Sequence, residues 1–320
     1  MKMDMTHALL FSLAACGCLA ASAQEQTYAE KLGWPKGARV VIFHVDDAGM
    51  SHDSNVGTIE AMEKGVATST SIMYPCPWVV EMAQYAKKNP DADIGLHSTF
   101  TSEWDVYRWG PVAGKKAVPG LTDEEGCLWH SEQEAAKNAT PDEVETELRA
   151  QLDRALTMGL KPTHIDTHMG TVYTRPDFLE RYIKVSAENG IPVMVPGGHA
   201  FYLAQESHEM VGGVKALGEK VWALGLPVLD DLHTGFGCEN PADKKAQVLN
   251  FLHNVKPGIT QFIVHCTRPS DTFKNIAGSG PMRLAELEAL TSPEVKKAVA
   301  EEKIILTTWR ELKQRRDAVK

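Results

Sequence analysis

The chain has 320 residues, 43% hydrophobic, 23% charged and 7% aromatic, an ordinary globular profile that excludes disorder, collagen and low-complexity fibres. The length suits one large domain or two small ones, and an α/β barrel uses such a length as a single domain. Lys and Arg number 33 against 42 Asp and Glu, a formal charge of −9, so no general basic field exists for nucleic acid or an anionic membrane.

Residues 1–23 open with Lys2 and Asp4, run apolar from Ala8 to Ala20, and end in Ala21-Ser22-Ala23 before Gln24. That is the form of a secretory leader with an A-x-A cleavage site. The expectation is a signal peptide over 1–23, an exported protein, periplasmic or secreted, and one domain over 24–320. Leu13-Ala14-Ala15-Cys16 supports a rival, a lipoprotein anchored at Cys16. No stretch approaches the roughly 20 apolar residues of a membrane span. Losing the leader removes Cys16 and Cys18 and leaves Cys76, Cys127, Cys238 and Cys266. The compartment permits disulfides, spacing does not choose among pairings, and buried free thiols are the alternative.

Short apolar runs predict strands at Val40–Val45, Ser69–Met73, Ile94–Leu96, about Thr163–Ile165, Ile191–Val195, Leu226–Leu229, Phe262–Val264 and Ile304–Leu306. Helical periods lie between most of them: Asn55–Lys64, Val79–Lys88, Pro141–Met158, Pro176–Asn189, Val211–Leu224, Pro241–Asn254 and Met282–Glu302. Thr140-Pro141 with Glu143 has the form of a helix start, and Gly159 and Gly190 of helix stops. Strand alternating with helix argues a parallel sheet, and the number of units favours a single distorted (β/α) barrel of seven or eight strands over an open doubly wound sheet. No G-x-G-x-x-G follows the first strand. The stretch 101–137, with Trp104, Tyr107, Trp109 and Trp129 among Gly and Pro, is long for a connection and predicts a functional loop or lid.

The first strand runs into Asp46-Asp47-Ala48-Gly49. Two adjacent carboxylates at the carboxyl end of a barrel strand repel unless a cation or proton divides their roles, and an Asp-capped turn accounts for only one of them. His97 ends the strand that begins at Ile94. A third strand end carries His164-Ile165-Asp166-Thr167-His168, whose alternate residues share a side if extended. One Asp of the 46–47 pair, His97, and one of His164 and His168 make the three-ligand set of a catalytic divalent metal. Gln261-Phe262-Ile263-Val264 delivers His265 to the same rim, where it suits a general acid. Of the other histidines, His233 is best placed to line a substrate pocket.

This constellation resembles the YdjC-like (ChbG/HpnK) carbohydrate deacetylases, distant relatives of the NodB-type polysaccharide deacetylases. The resemblance covers most of the chain after the leader. It is carried by Asp46-Asp47-Ala48-Gly49-Met50-Ser51, Asn55 with Glu60-Ala61, Gly65 to Ser71, Gly95-Leu96-His97, His164 to His168, His265, Arg283-Leu284-Ala285-Glu286-Leu287, Ser292 to Val295 and Trp309 to Leu312. It departs where members continue with histidine and this chain has Met169-Gly170-Thr171, and where Cys266-Thr267 replaces Pro-Gly.

The resemblance implies one divalent metal ion held by Asp47, His97 and His168, with Asp46 as base and His265 as acid in removing an N-acetyl group from an amino sugar or short oligosaccharide. Two imidazoles and a carboxylate suit zinc, and the resemblance also admits magnesium or manganese. Asp166 is expected to orient a neighbouring His, with His164 and His233 near the substrate. Trp104 and Trp109, with Trp129, are expected to stack on sugar faces, ordinary loop packing being the alternative. The rivals are a metal-dependent hydrolase of an ester or phosphoester and a non-catalytic, two-lobed periplasmic sugar-binding protein. The expected partner is the N-acetylated sugar, with no nucleic acid and no membrane span; the oligomeric state is open.

Overall fold

A computed structural model describes residues 25–206, 213–235 and 237–319. The expected leader over 1–23, with Cys16 and Cys18, lies outside them. In chain order the elements are α1 (Tyr28–Lys31), β1 (Arg39–Ala48), α2 (His52–Lys64), β2 (Ser69–Ile72), α3 (Val79–Lys88), β3 (Ile94–Ser98), α4 (Glu132–Asn138), α5 (Pro141–Thr157) and β4 (Ile165–Thr167). They continue with α6 (Pro176–Glu188), α7 (Phe201–Glu206), α8 (Val214–Ala223), β5 (Asp231–His233), α9 (Lys244–Asn254), β6 (Gly258–Val264), α10 (Gly280–Thr291), α11 (Pro293–Glu301), β7 (Ile305–Leu306) and α12 (Trp309–Ala318).

All pairings between these strands are parallel, in the order β4-β3-β2-β1-β6-β5, with β7 against β1. The result is an α/β fold whose six-strand path curls into a half-barrel. Among the described residues this path does not close into the expected distorted barrel of seven or eight strands. Where strands were predicted at Ile191–Val195 and Leu226–Leu229, only single bridges occur, Ile165 to Val193 and Pro196 to Leu229. Pro192, Pro196 and Pro227 lack the backbone N–H that a continuous ladder requires. The predicted helix Met282–Glu302 is two helices, because Pro293 cannot continue α10 and instead starts α11, with Ser292 capping Val295 N–H.

β1 is buried on both faces, as a central parallel strand must be. Val41, Phe43 and Val45 pack with residues of α9 and α10 such as Phe251 and Leu287. The opposite face carries His44 and Asp46 among polar side chains of neighbouring strands. Gly95 of β3 is required there: a Cβ on it would lie 2.4 Å from the His164 ring. Cys76, Cys127, Cys238 and Cys266 are all free thiols, Cys76 and Cys266 buried. Among the described residues no helix is long and apolar enough to cross a membrane.

Hydrogen bonds hold the connection after β3 against the body of the fold. Thr101 bridges to Trp129, and the Trp109 indole N–H donates to the Thr101 carbonyl at 3.0 Å. From α5, buried Glu147 accepts from Val112 N–H at 2.9 Å, Ala113 N–H at 2.8 Å and Gln151 Nε2 at 2.8 Å. Burial pushes this carboxyl up to about 7, the donors pulling the other way. A raised native value means that Glu147 contributes stability below its ordinary range and loses it as pH rises through about 7. Between pH 5 and 8 the wild type should therefore lose on the order of 3 kcal/mol relative to Glu147→Gln. Urea unfolding of both proteins across that range checks this, and a pH-independent difference refutes it.

Candidate active site

In a regular strand Asp46 and Asp47 would point to opposite faces. β1 avoids this by a bulge: its register with β2 shifts between Val45 and Ala48, and Asp47 takes φ of 63°. A positive φ is costly for a residue with a Cβ and is a feature of functional sites. It turns both carboxylates toward His97, whose Nε2 lies 3.8 Å from Asp46 Oδ2 and 3.5 Å from Asp47 Oδ1. Asn55, capping no helix itself, holds this turn by accepting from Gly49 N–H at 2.6 Å and donating to the Trp78 carbonyl at 3.1 Å.

His97 and Asp166 are paired across β3 and β4, and Asp166 Oδ1 lies 2.8 Å from His97 Nδ1. A neutral His97 with its proton on Nδ1 would present its Nε2 lone pair to a cation beside Asp47. His168 follows β4, where positive φ at Met169 and Gly170 turns the chain. Its Nδ1 is 3.3 Å from Asp47 Oδ1, and its Nε2 is 3.0 Å from Glu103 Oε2. One ligand atom from each of Asp47, His97 and His168 lies within 4.8 Å of the others, and all three residues are buried. Arg283 Nη1 stands 2.7 Å from Asp47 Oδ2, yet neither Asp47 oxygen takes a directed hydrogen bond. Asp47 Oδ1, buried, without a directed donor and facing both imidazoles, fits a divalent cation.

Beneath this trio, Asp166 Oδ2 is 2.8 Å from His44 Nε2, which is also 3.1 Å from Asp46 Oδ1. Burial opposes a charge on His44, but Asp166 and Asp46 raise it to about 9. His97 and His168 are likewise raised against burial, His97 by Asp166 and Asp46, and His168 by Glu103 and Asp47 to about 9. Burial would raise Asp47 and Asp166. Arg283 and His168 hold the first well below the usual carboxylate range, and His97 and His44 the second. His164 differs: burial and the neighbouring His44 charge lower it to about 4, and its ring stacks on Trp309 at 5.3 Å, below the centre.

His265 follows β6 and brings Nε2 to 3.9 Å from Asp46 Oδ2. Its backbone N–H donates to Glu286 at 2.6 Å, and Glu286 pairs with buried Lys244 at 3.1 Å. The structure thus gathers Asp46, Asp47, His97, Asp166, His168 and His265 at the carboxyl ends of β1, β3, β4 and β6.

Residues 40–301 match the family described as YdjC-like protein. The chain belongs to the YdjC-like family. It is 30% identical over 289 residues to a carbohydrate deacetylase of Thermus thermophilus, covering 89% of this chain and 97% of that one. A carbohydrate deacetylase of Brevibacillus brevis is 28% identical over 272 residues, covering 85% and 99%. A crystal structure from Enterococcus faecalis V583, assigned provisionally to cellobiose-phosphate cleavage, superposes with a TM-score of 0.73 at 25% identity, covering 86% and 99%.

In this YdjC-like chain His233, expected near the substrate, does not reach the centre. His233 lies on the helix side of β5, stacked on Tyr202 at 4.8 Å and against Phe262 at 4.4 Å, with Nδ1 2.8 Å from Glu206. Phe262 there faces α9, so the alternation of β5 turns His233 away from Asp46. Trp109 is 5% exposed and packs against Trp104 and Tyr107 inside the loop. Trp104 is half-buried, and Trp129 donates its indole N–H to the Gly120 carbonyl. Sequence reasoning did not single out Glu103 or Lys244 and gave His44 no role. His44 had a usable signal, since it precedes Asp46 by two on a strand and so shares its face.

Proposed function

We propose that this protein is a metal-dependent carbohydrate N-deacetylase that releases acetate from an N-acetylated amino sugar or short oligosaccharide. The observation that carries the proposal is the β1 bulge, which aims Asp47 at His97 and His168 while leaving Asp46 beside them and within reach of His265. Membership of the YdjC-like family, and relatives named carbohydrate deacetylase over nearly their whole length, support it. Asp47, His97 and His168 would hold the divalent ion, with zinc or magnesium both compatible with the donor set. When bound, such an ion supplies Lewis acidity to a carbonyl oxygen and lowers the pKa of water.

The chain's own residues then divide the proton work. Asp46 accepts a proton from the attacking water as its oxygen bonds to the acetyl carbon. His265 donates a proton to the sugar nitrogen as the C–N bond breaks, so that an amine and acetate leave. Asp166 fixes the His97 ring, and Glu286 fixes the backbone of His265. A two-lobed binding protein has no use for this arrangement, and the described strands form one sheet.

The test is acetate release from a panel of N-acetylated mono- and disaccharides, with and without chelator and with added zinc or magnesium. Chelator-sensitive release is expected. Metal uptake without acetate release from any sugar overturns the deacetylase proposal in favour of another hydrolysis, for which ester and phosphoester substrates are the next panel.

A further inference from the structure

We infer that Glu103, on the connection between β3 and α4, is a positioning residue for His168 that couples closure of this loop to cation binding; the inference rests on the metal-site reading above. The two nitrogens of the His168 ring face two carboxylates: Nε2 is 3.0 Å from Glu103 Oε2 and Nδ1 is 3.3 Å from Asp47 Oδ1. In the neutral ring that a cation binds, a proton on Nε2, donated to Glu103, leaves the Nδ1 lone pair free for an ion beside Asp47. The opposite tautomer would cover the donor atom with a proton. Glu103 therefore selects both the tautomer and the ring orientation that a cation needs, as Asp166 does for His97.

The two orienting carboxylates differ in what carries them. Asp166 belongs to β4 and is locked in the sheet. Glu103 belongs to a loop that closes over the trio from above. Around it the loop makes contacts at both ends of the metal set: the Tyr107 hydroxyl donates to the Met50 carbonyl, just past Asp47, and Thr101 Oγ1 reaches Met169 Sδ, just past His168. Ser102 N–H donates to the Trp129 carbonyl at 2.7 Å, which ties the start of the loop to its far end. If residues 101–109 lifted, His168 would lose its orienting partner. Cation affinity thus depends on a closed loop, and by linkage a bound cation holds the loop closed.

The experiment needs no substrate. Zinc affinity is measured by chelator competition for the wild type, Glu103→Ala, Glu103→Gln and, on an exposed part of the same loop, Glu124→Ala. Amide hydrogen exchange over 101–109 is followed with and without zinc. Glu103→Ala should weaken zinc binding roughly 10- to 100-fold, with Glu103→Gln in between because it keeps an acceptor oxygen, and Glu124→Ala should match the wild type. Zinc should slow exchange in the wild-type loop and slow it less in Glu103→Ala. Wild-type affinity in a folded Glu103→Ala protein, or loop exchange indifferent to zinc, overturns the inference alone. A wild-type protein that takes up neither zinc nor magnesium overturns the metal reading and this inference with it.

Discussion

Asp46→Asn is expected to keep the divalent ion and lower turnover roughly 10²- to 10⁴-fold, the usual contribution of a positioned general base. Asp47→Ala is expected to lose the ion itself and, with it, detectable acetate release. The two substitutions are adjacent in sequence, yet the β1 bulge gives them different surroundings. Asp47 is 1% exposed and faces His97, His168 and Arg283. Asp46 is 8% exposed and lies between His44 and His265, where a substrate entering from the strand ends would meet it. Asparagine fills nearly the same volume and accepts a hydrogen bond from His44, so the local packing survives while the basic oxygen is gone. Metal content by elemental analysis, alongside kcat, separates the two effects. An Asp46→Asn protein that turns over like the wild type would falsify the base assignment; an Asp47→Ala protein with full metal content would remove Asp47 from the ligand set.

Much of this centre was legible because strand ends impose it. His97, His168 and His265 each stand at or just past the end of a short strand, where parallel α/β sheets place their chemistry. The partners that shape their environment come from elsewhere and carry weaker signals. Arg283 and Glu286 are i and i+3 on α10, so they share a face, and both are buried on a helix that also packs Leu287 and Leu290 into the core. That spacing could have marked them as inward-facing, but nothing local tells which strand end they reach. Glu103 and Lys244 are harder still. Their partners are His168 and Glu286, 65 and 42 positions away, and no periodic pattern of the intervening chain encodes either contact. The expected seven- or eight-strand barrel departs from the structure in the other direction: Ile191–Val195 and Leu226–Leu229 have the hydrophobicity of strands, but their prolines break the ladder to single bridges.

Lys244→Met should destabilise the protein by about 3–5 kcal/mol, the cost of leaving a buried charge without its partner. Lys244 is 1% exposed at the start of α9, donates to the Gly235 carbonyl at 2.8 Å, and stands 3.1 Å from Glu286 Oε1. Burial alone would raise the Glu286 carboxyl, but His265 and Lys244 hold it down at about 2. Without the ammonium, a carboxylate that still accepts the His265 N–H stays buried with much of its compensation gone. Removing both charges in Lys244→Met/Glu286→Met deletes that liability and adds to Lys244→Met, which already takes the Gly235 carbonyl's donor, only the loss of the His265 N–H bond to Glu286, about 1–3 kcal/mol. The double variant should therefore be more stable than Lys244→Met alone, although it departs further from the native sequence. Because the native carboxyl is depressed, the pair's contribution is present above the ordinary glutamate range and is lost as pH falls toward about 2. The gap between wild type and Lys244→Met should accordingly narrow below pH ~4.5. Urea unfolding of the wild type, Lys244→Met, Glu286→Met and the double variant at pH 7 and pH 4 measures both effects. Costs that simply add in the double variant would show that Lys244 and Glu286 are not energetically coupled.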